Sequence, residues 1–330
     1  MLQTKDIAVV ILNWNGKNLL ETFLPSVIKY SENATIYVAD NASTDTSAAF
    51  VTKRFPTAKL ILNPENEGYA KGYNEALKYV EEPLLCLLNN DIEVTENWLQ
   101  PILAEFNTNI DTAIVQPKIL DYKNKTHFEY AGAAGGYIDK YGYPYCRGRI
   151  FDTIEEDKGQ YNDTKTIFWA SGACFFIRNS IFKAMSGFDE AYFAHMEEID
   201  LCWHVFNTNY TVKYVGTSTV YHLGGGTLSN TNPKKTYLNF RNSLYTLVKH
   251  TDKNVILRTL VRMILDGVAG IRFLLHLKPH YFIAILKAHY SFYKNLNSLL
   301  RQRKQLPKRP NYYETESIVW SYFIKKRTKF

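Results

Sequence analysis

IAVVILNWNG (Ile7–Gly16) begins with six unbroken apolar residues, four of them β-branched, and then stops at Asn13-Trp14-Asn15-Gly16. A continuous rather than alternating apolar run of that length is the pattern of a strand covered on both faces, as in a parallel sheet. Lys17–Tyr30 follows with Leu20, Leu24, Val27 and Ile28 at helical spacing, and the strand-then-helix alternation recurs along the next hundred residues. Ala34–Ala39 precedes Thr44–Arg54, Lys59–Leu62 precedes Tyr69–Val80, and Pro83–Leu88 precedes Thr95–Phe106, with Thr95 as the expected cap of that helix and a further strand over Ala113–Leu120. This pattern predicts βαβ units on a largely parallel sheet. Residues 121–165, rich in Gly, Tyr and Asp, read as long loops or a small antiparallel excursion, and stretches of that length are often functional. Strand character returns over Ile167–Arg178, a helix is expected over Glu197–Phe206, and Thr211–His222 alternates like a strand.

Composition sets the outer bounds. A chain of 330 residues that is 46% hydrophobic suits one large α/β domain with an appendage, or two smaller domains, and 11 Pro with 17 Gly is too few for a disordered or collagen-like chain. Cys86, Cys146, Cys174 and Cys202 are far apart with no CxxC pair, which predicts buried free thiols in a reducing compartment rather than a disulfide framework or thiolate zinc site. The apolar run at Ile7–Leu12 is too short for a signal peptide. The net charge of +7 hides a division: residues 1–233 carry 19 Lys and Arg against 28 Asp and Glu, whereas residues 234–330 carry 20 against 4. An acidic body with a basic appendage predicts two parts, a catalytic domain over 1–233 and a basic helical extension over 234–330. In that extension Arg258, Arg262, Asp266, Arg272, Lys278 and Lys287 interrupt every apolar run before it reaches the roughly 18–20 residues that span a bilayer. Two readings stay open for it: amphipathic helices on an anionic membrane surface, or helices packed on the main domain.

In an open α/β sheet the ligand lies beyond the carboxyl ends of the strands. Those ends carry Asn13-Trp14-Asn15-Gly16, Asp40-Asn41-Ala42-Ser43-Thr44-Asp45, Asn63-Pro64-Glu65-Asn66-Glu67-Gly68 and Asn89-Asn90-Asp91. Turn residues are expected after any strand; short amide and carboxylate side chains at four successive ends point further, to one polar crevice. Neither GxGxxG nor GxxxxGK[ST] occurs, so the two commonest backbone cradles for phosphate are missing. A bound diphosphate then needs another positive charge, and a divalent metal on oxygen ligands at Asp91 supplies one.

VVILNWNG (Val9–Gly16), VADNASTD (Val38–Asp45), NEGYAKGYN (Asn66–Asn74), LLNND (Leu87–Asp91), GFDEAYFAHMEEIDLCWH (Gly187–His204) and YHLGGGT (Tyr221–Thr227) stand in the order and spacing of family-2 glycosyltransferases. The chain resembles that family over residues 5–250, most closely its bacterial rhamnosyltransferase-like members. The resemblance implies a GT-A fold, a Rossmann-like and mostly parallel sheet flanked by helices. It also implies inverting transfer of a sugar from a nucleotide-diphosphate donor to a saccharide or lipid-linked acceptor in surface polysaccharide synthesis. Asp40 would accept a hydrogen bond from the base, with Asn13, Asn15, Asn41 and Asn90 lining the nucleotide, and Asn66, Gly68 and Asn74 would shape the diphosphate and sugar side. Asp91 matches the last acid of the family's metal motif, whose first acid is replaced here by Asn89. With His222 it would hold Mg²⁺ or Mn²⁺. Glu198 matches the catalytic base, and Asp200 the acid that orients the acceptor or a cation.

Three carboxylates within four positions (Glu197, Glu198, Asp200) repel one another and should raise at least one pKa. On a helix, 197 and 200 share a face while 198 points elsewhere, so the three cannot do the same job. Trp169–Ala173 reads either as the floor of an acceptor pocket or as a core strand. Gly224–Gly226 reads either as a loop closing on the diphosphate or as a turn, and Arg241 as a phosphate partner or a surface residue. The expected setting is the cytoplasm, on the inner face of the plasma membrane, with a nucleotide sugar, an acceptor saccharide and an anionic membrane surface as partners and no nucleic acid. Two rivals are a sugar nucleotidyltransferase, for which Asn13–Leu20 offers only Lys17, and a non-catalytic binder of sugar nucleotides or of nucleic acid, the latter leaving the strand-end acids unexplained.

Overall fold

The computed structural model describes residues 1–224 and 232–330. β1 (Ile7–Asn13), α1 (Lys17–Tyr30), β2 (Thr35–Asp40), α2 (Ser47–Arg54), β3 (Lys59–Leu62), α3 (Gly68–Ala76) and β4 (Leu84–Asn89) alternate as the sequence pattern predicts. The four strands pair in parallel in the order β3-β2-β1-β4. The unbroken apolar run of β1 has a direct cause. Ile7, Val9 and Ile11 enter the core beneath α1, α2 and α4 (Leu99–Thr108), while Ala8 and Val10 enter the core on the opposite face, and the first four residues of the strand are fully buried. No face is left for a polar residue until the strand ends at Asn13.

Beyond β4 the sheet becomes mixed. β5 (Ile92–Val94), β6 (Thr112–Asp121), β11 (Thr164–Ile167), β12 (Cys174–Arg178) and β13 (Thr211–His222) complete nine strands, with β12 antiparallel between β4 and β6. Between β6 and β11 the chain makes the expected antiparallel excursion, a separate four-stranded sheet of β7 (Gly136–Ile138), β8 (Pro144–Cys146), β9 (Arg149–Ile150) and β10 (Thr153–Ile154). Two expectations are corrected. Thr95 caps no helix: its hydroxyl donates to Thr219 O (2.7 Å) and α4 begins four residues later, because the chain first pairs as β5 with β13. Ile167–Arg178 is not one strand either. It breaks at a turn around Ser171, whose Oγ donates to Ala131 O (2.6 Å), and the turn sends β11 and β12 to different neighbours.

α5 (Asn179–Ala184) and α6 (Glu197–Asn207) flank the sheet, and α7 (Pro233–His250), α8 (Val255–Leu275), α9 (Pro279–Gln305) and α10 (Ile318–Phe323) follow. α7, α9 and α10 are attached through apolar contact with the body: Leu244, Leu247, Phe292, Leu299 and Ile318, with Tyr312 between α9 and α10, lie in the same core as Tyr73, Phe188 and Trp203. All four cysteines are buried and free.

Candidate active site

At the end of β1 the Asn13 amide is held from both sides. Its Nδ2 donates to Asp40 Oδ2 (3.1 Å) at the end of β2, and its Oδ1 accepts from Asn90 Nδ2 (2.9 Å) just beyond β4. Gly16 makes this meeting possible, since a Cβ there would lie 2.3 Å from Asn90 Nδ2 and 2.4 Å from Asn13 Oδ1. Asp40 also accepts Ser43 N–H (2.8 Å), which leaves about one lone pair on each oxygen for a ligand. Asn15, at positive φ, accepts from Thr44 N (2.7 Å) and Asp45 N (3.2 Å) and so fixes the loop after β2.

Asn41, Asn63 and Asn66 form an amide relay. Asn41 Nδ2 donates to Asn66 Oδ1 (2.9 Å) and Gly68 O (3.2 Å), and its Oδ1 accepts from Asn63 (3.0 Å). Asn41 and Asn63 of this relay line one wall of a cleft of about 220 Å³ that also includes Glu65, Glu67 and Lys71. Gly68 is required by two facts: φ is +92°, and a Cβ would come 2.3 Å from Phe193 O, which accepts Tyr69 N–H at 2.7 Å. Gly68→Ala should therefore destabilise the fold by roughly 1–3 kcal/mol in thermal unfolding, and an unchanged midpoint would show that α3 does not need this contact. Asn74 differs from the sequence-based expectation. Its Oδ1 accepts Phe188 N–H (2.9 Å) and its Nδ2 donates to Phe188 O (2.9 Å) and Glu190 (3.1 Å), so its amide staples residues 188–190 and is not open to a sugar.

Asp91 and His222 meet where β4 and β13 end: Asp91 Oδ1 lies 3.1 Å from His222 Nε2, and Asp91 O accepts Leu223 N–H (3.1 Å). Asn89 Nδ2 stands 3.5 Å from the same ring nitrogen. The other ring nitrogen is 3.4 Å from Glu129 Oε1, a residue of the 121–165 segment with no periodicity to mark it in the sequence. Burial alone would lower the His222 pKa, but the carboxylates of Asp91 and Glu129 raise it to about 10. Among the described residues no group of three or more His, Cys, Asp or Glu is disposed as a ready-made metal centre. A divalent ion shared with a diphosphate needs only one or two protein carboxylates. Asp91 suits such an ion, and His222 can join it only as the neutral imidazole, through Nε2, the ring nitrogen that faces Asp91.

Asp91 and Glu198 are linked through the Ser171 turn. Asn89 N–H donates to Ala173 O (2.9 Å), Glu129 accepts Ala131 N–H, and Ala131 O accepts the Ser171 hydroxyl. On the other side of the turn, Tyr69 OH donates to Gly172 O (2.7 Å), and a Cβ on Gly172 would lie 3.7 Å from the Glu198 carboxyl carbon. The turn is thus shared by the β4 end, α3 and the start of α6.

The three acids of α6 have three environments. Glu197 is buried and its carboxyl is driven well upward in pKa by desolvation and then by the charge of Glu198. Glu198 is half-buried with one oxygen fully covered and unpartnered; desolvation raises it to about 7, against the pull of nearby backbone amides. Asp200 goes the other way. Burial would raise it, but Lys249 (2.7 Å) and His250 (2.8 Å) hold it well below the carboxylate range, and Tyr192 OH donates to it as well (2.8 Å). Every contact of Asp200 is internal, to α7 and to Tyr192, and its carboxylate is committed to the Lys249 ammonium rather than to an acceptor. Arg241 is largely committed as well: its Nη2 donates to Ala191 O and Tyr192 O (both 2.9 Å) and its Nε to Asn242 (2.8 Å), which leaves only Nη1, 3.5 Å from Tyr237 OH, for a further acceptor. Asn242 in turn donates to Tyr192 O, Ala194 O and His195 O. Together they hold a loop in which Phe193, His195 and Met196 all have positive φ, an uncommon backbone for such residues, directly before Glu197. The Gly224–Gly226 reading falls mostly on residues outside those described.

A sheet of this winding, with amides and acids collected at its carboxyl ends, is the GT-A architecture of nucleotide-sugar transferases. The model of glycosyl transferase family 2 matches residues 8–185, and the chain belongs to that family. Among curated relatives, the N-acetylglucosaminyl-diphospho-decaprenol L-rhamnosyltransferase of Mycobacterium tuberculosis is 23% identical over 234 residues, 66% of this chain and 76% of the relative. Two solved structures share the fold. GalNAc-T7 with UDP, GalNAc and Mn²⁺ has a TM-score of 0.59 at 17% identity, over 74% of this chain and 48% of that one. The mannosyltransferase PcManGT of Pyrobaculum calidifontis with GDP-Man and Mn²⁺ has 0.52 at 11%, over 91% and 84%.

Proposed function

We propose that the protein is an inverting glycosyltransferase that moves a deoxyhexose or hexose from a nucleoside diphosphate to a lipid-linked saccharide. The observation that carries this reading is the position of Glu198: a carboxyl with a pKa of about 7, one turn of chain from the strand end that bears Asp91. Inversion is a single displacement in which an acceptor hydroxyl attacks the anomeric carbon and the nucleoside diphosphate leaves. The hydroxyl is a poor nucleophile until a base takes its proton, and a base with a pKa near the working pH does so best. Glu198 is that base. Asp40, Asn13 and Asn15 form the nucleotide side, with Asn41, Asn66, Gly68 and Asn90 setting its walls. Asp91 would hold a Mg²⁺ or Mn²⁺ ion, joined by His222 once its ring has given up a proton, and the ion when bound offsets the negative charge gathering on the departing diphosphate. Asp200 acts at one remove, as the residue that positions the first turn of α6. The relative's rhamnose donor and polyprenyl acceptor favour that substrate class here.

A thermal-shift panel of UDP, dTDP and GDP, each with and without Mn²⁺, tests the binding half of the proposal. One base should raise the unfolding temperature more than the others, and Mn²⁺ should add to that rise, because a ligand that binds only the folded state stabilises it by mass action. Asp91→Ala should abolish the Mn²⁺ increment and keep the overall fold. If no diphosphate shifts the wild-type midpoint, the nucleotide-sugar reading fails.

A further inference from the structure

We propose that the outward face of α8 is a membrane-inserting surface that seats the enzyme on an anionic bilayer, with the helix axis in the plane of the membrane. Helix α8 is inverted relative to a helix packed on a water-soluble core. Its buried residues are Arg258, Thr259, Arg262, Asp266 and Gly270. Leu257, Leu260, Ile264, Val268, Ile271 and Leu275 are between 51% and 78% exposed. At 3.6 residues per turn these six fall within an arc of about 80° and form a straight stripe about 27 Å long.

The helix cannot roll to hide that stripe. Arg262 Nε donates to Asp266 Oδ1 (2.7 Å), Tyr143 OH donates to the same carboxylate (2.8 Å), and Arg262 Nη1 reaches Gly142 O (3.1 Å) on the β7–β8 hairpin. Arg258 Nη1 donates to Tyr312 OH (2.8 Å). Turning the apolar face inward would strip these buried ions of their partners, and an uncompensated buried charge is strongly destabilising. α9 runs back antiparallel along α8, with Tyr281 against Phe273 and His289 Nε2 at 3.4 Å from Asp266, and carries its own exposed Ile283, Leu286 and Tyr290.

Charge selects the occupant of this face. From Lys253 to Tyr313 the only carboxylate is Asp266, and it is fully buried, so every exposed charge on the two helices is a cation, Arg272, Lys278, Lys287 and Lys294 among them. A second copy docked on the same face would bring cations against cations. An anionic lipid surface satisfies both features, apolar side chains entering the acyl boundary and lysines meeting headgroups. No helix among the described residues is long and apolar enough to cross a membrane, so the contact is with one surface. The use of this docking rests on the lipid-linked acceptor proposed above, but docking itself is measured without turnover.

The test is vesicle flotation of the full chain on phosphatidylcholine alone and on phosphatidylcholine containing phosphatidylglycerol. The wild type should float with the anionic vesicles and much less with the neutral ones. The triple variant Leu260→Asn, Ile264→Asn, Ile271→Asn changes only side chains that are already exposed. It should keep the wild-type unfolding temperature and its rate on a water-soluble acceptor, while its partition onto anionic vesicles falls about tenfold or more. Wild-type flotation by the variant, no flotation by the wild type, or a wild-type dimer in sedimentation velocity that the variant dissolves would each overturn the proposal. Flotation without any sugar transfer would leave it standing and remove the transferase reading instead.

Discussion

Glu198→Gln should lower the turnover number for sugar transfer about 1,000-fold, within the 10²–10⁴ range of a general base, and leave nucleoside diphosphate affinity within about twofold. The amide has the shape of the carboxyl and keeps one oxygen to accept from the nearby backbone amides, so the loss reports chiefly proton transfer. It corresponds to about 4 kcal/mol of transition-state stabilisation. The wild-type enzyme carries a second signature. Burial lifts the Glu198 carboxyl to about 7, and the protonated acid cannot act as a base, so the turnover number should fall tenfold per pH unit on the acid side of that value. The residual activity of the variant should lack this limb. If the Glu198→Gln enzyme turns over at the wild-type rate, with the acid limb intact, the base lies elsewhere.

How much of this was legible in the sequence depends on how far apart the interacting residues stand. The run at Ile7–Leu12 was readable because burial on both faces leaves a local mark: no polar residue until Asn13. The strand-end amides were visible for the same reason, each lying just past a recognisable apolar run. Glu129 was not. It pairs with His222 across 93 positions and sits in a segment with neither helical nor strand periodicity, so no local pattern flags it. The acids of α6 were found, but their division of labour was only half legible. Helical geometry separates 198 from 197 and 200, yet what lowers Asp200 while Glu197 and Glu198 rise is Lys249, 49 residues further on. Asn74 misled for a related reason. A polar side chain beside a predicted site looks available to a ligand until the backbone carbonyls and amides that claim it are placed. α8 shows the limit most clearly, since periodicity finds its apolar stripe but cannot say which way the stripe faces.

Lys249→Met should destabilise the fold more than Gly68→Ala, by about 3–5 kcal/mol, because it removes one member of a buried ion pair and leaves the other uncompensated. Lys249 Nζ bridges Asp200 (2.7 Å) and Asp189 (2.8 Å), tying α7 to α6 and to the loop before it. In the wild type the neighbouring His250 does not share that charge. Burial outweighs the neighbouring carboxylate and holds its pKa below the ordinary value, so it faces Asp200 as a neutral imidazole that donates a hydrogen bond but no charge. In a domain of this size the loss should lower the unfolding temperature on the order of 10 °C. Its pH dependence identifies the cause. The folded-state pKa of Asp200 is depressed below its unfolded value near 3.9, so the pair contributes its full stability above about pH 4 and loses it as the pH falls towards the folded value. The gap between wild type and variant should be constant from neutral pH down to about 5 and narrow below about 4. Lys249→Arg, which keeps the charge, should recover part of the difference. A gap that stays the same at pH 3 would mean that the methionine disturbs packing alone and that Asp200 owes nothing to Lys249.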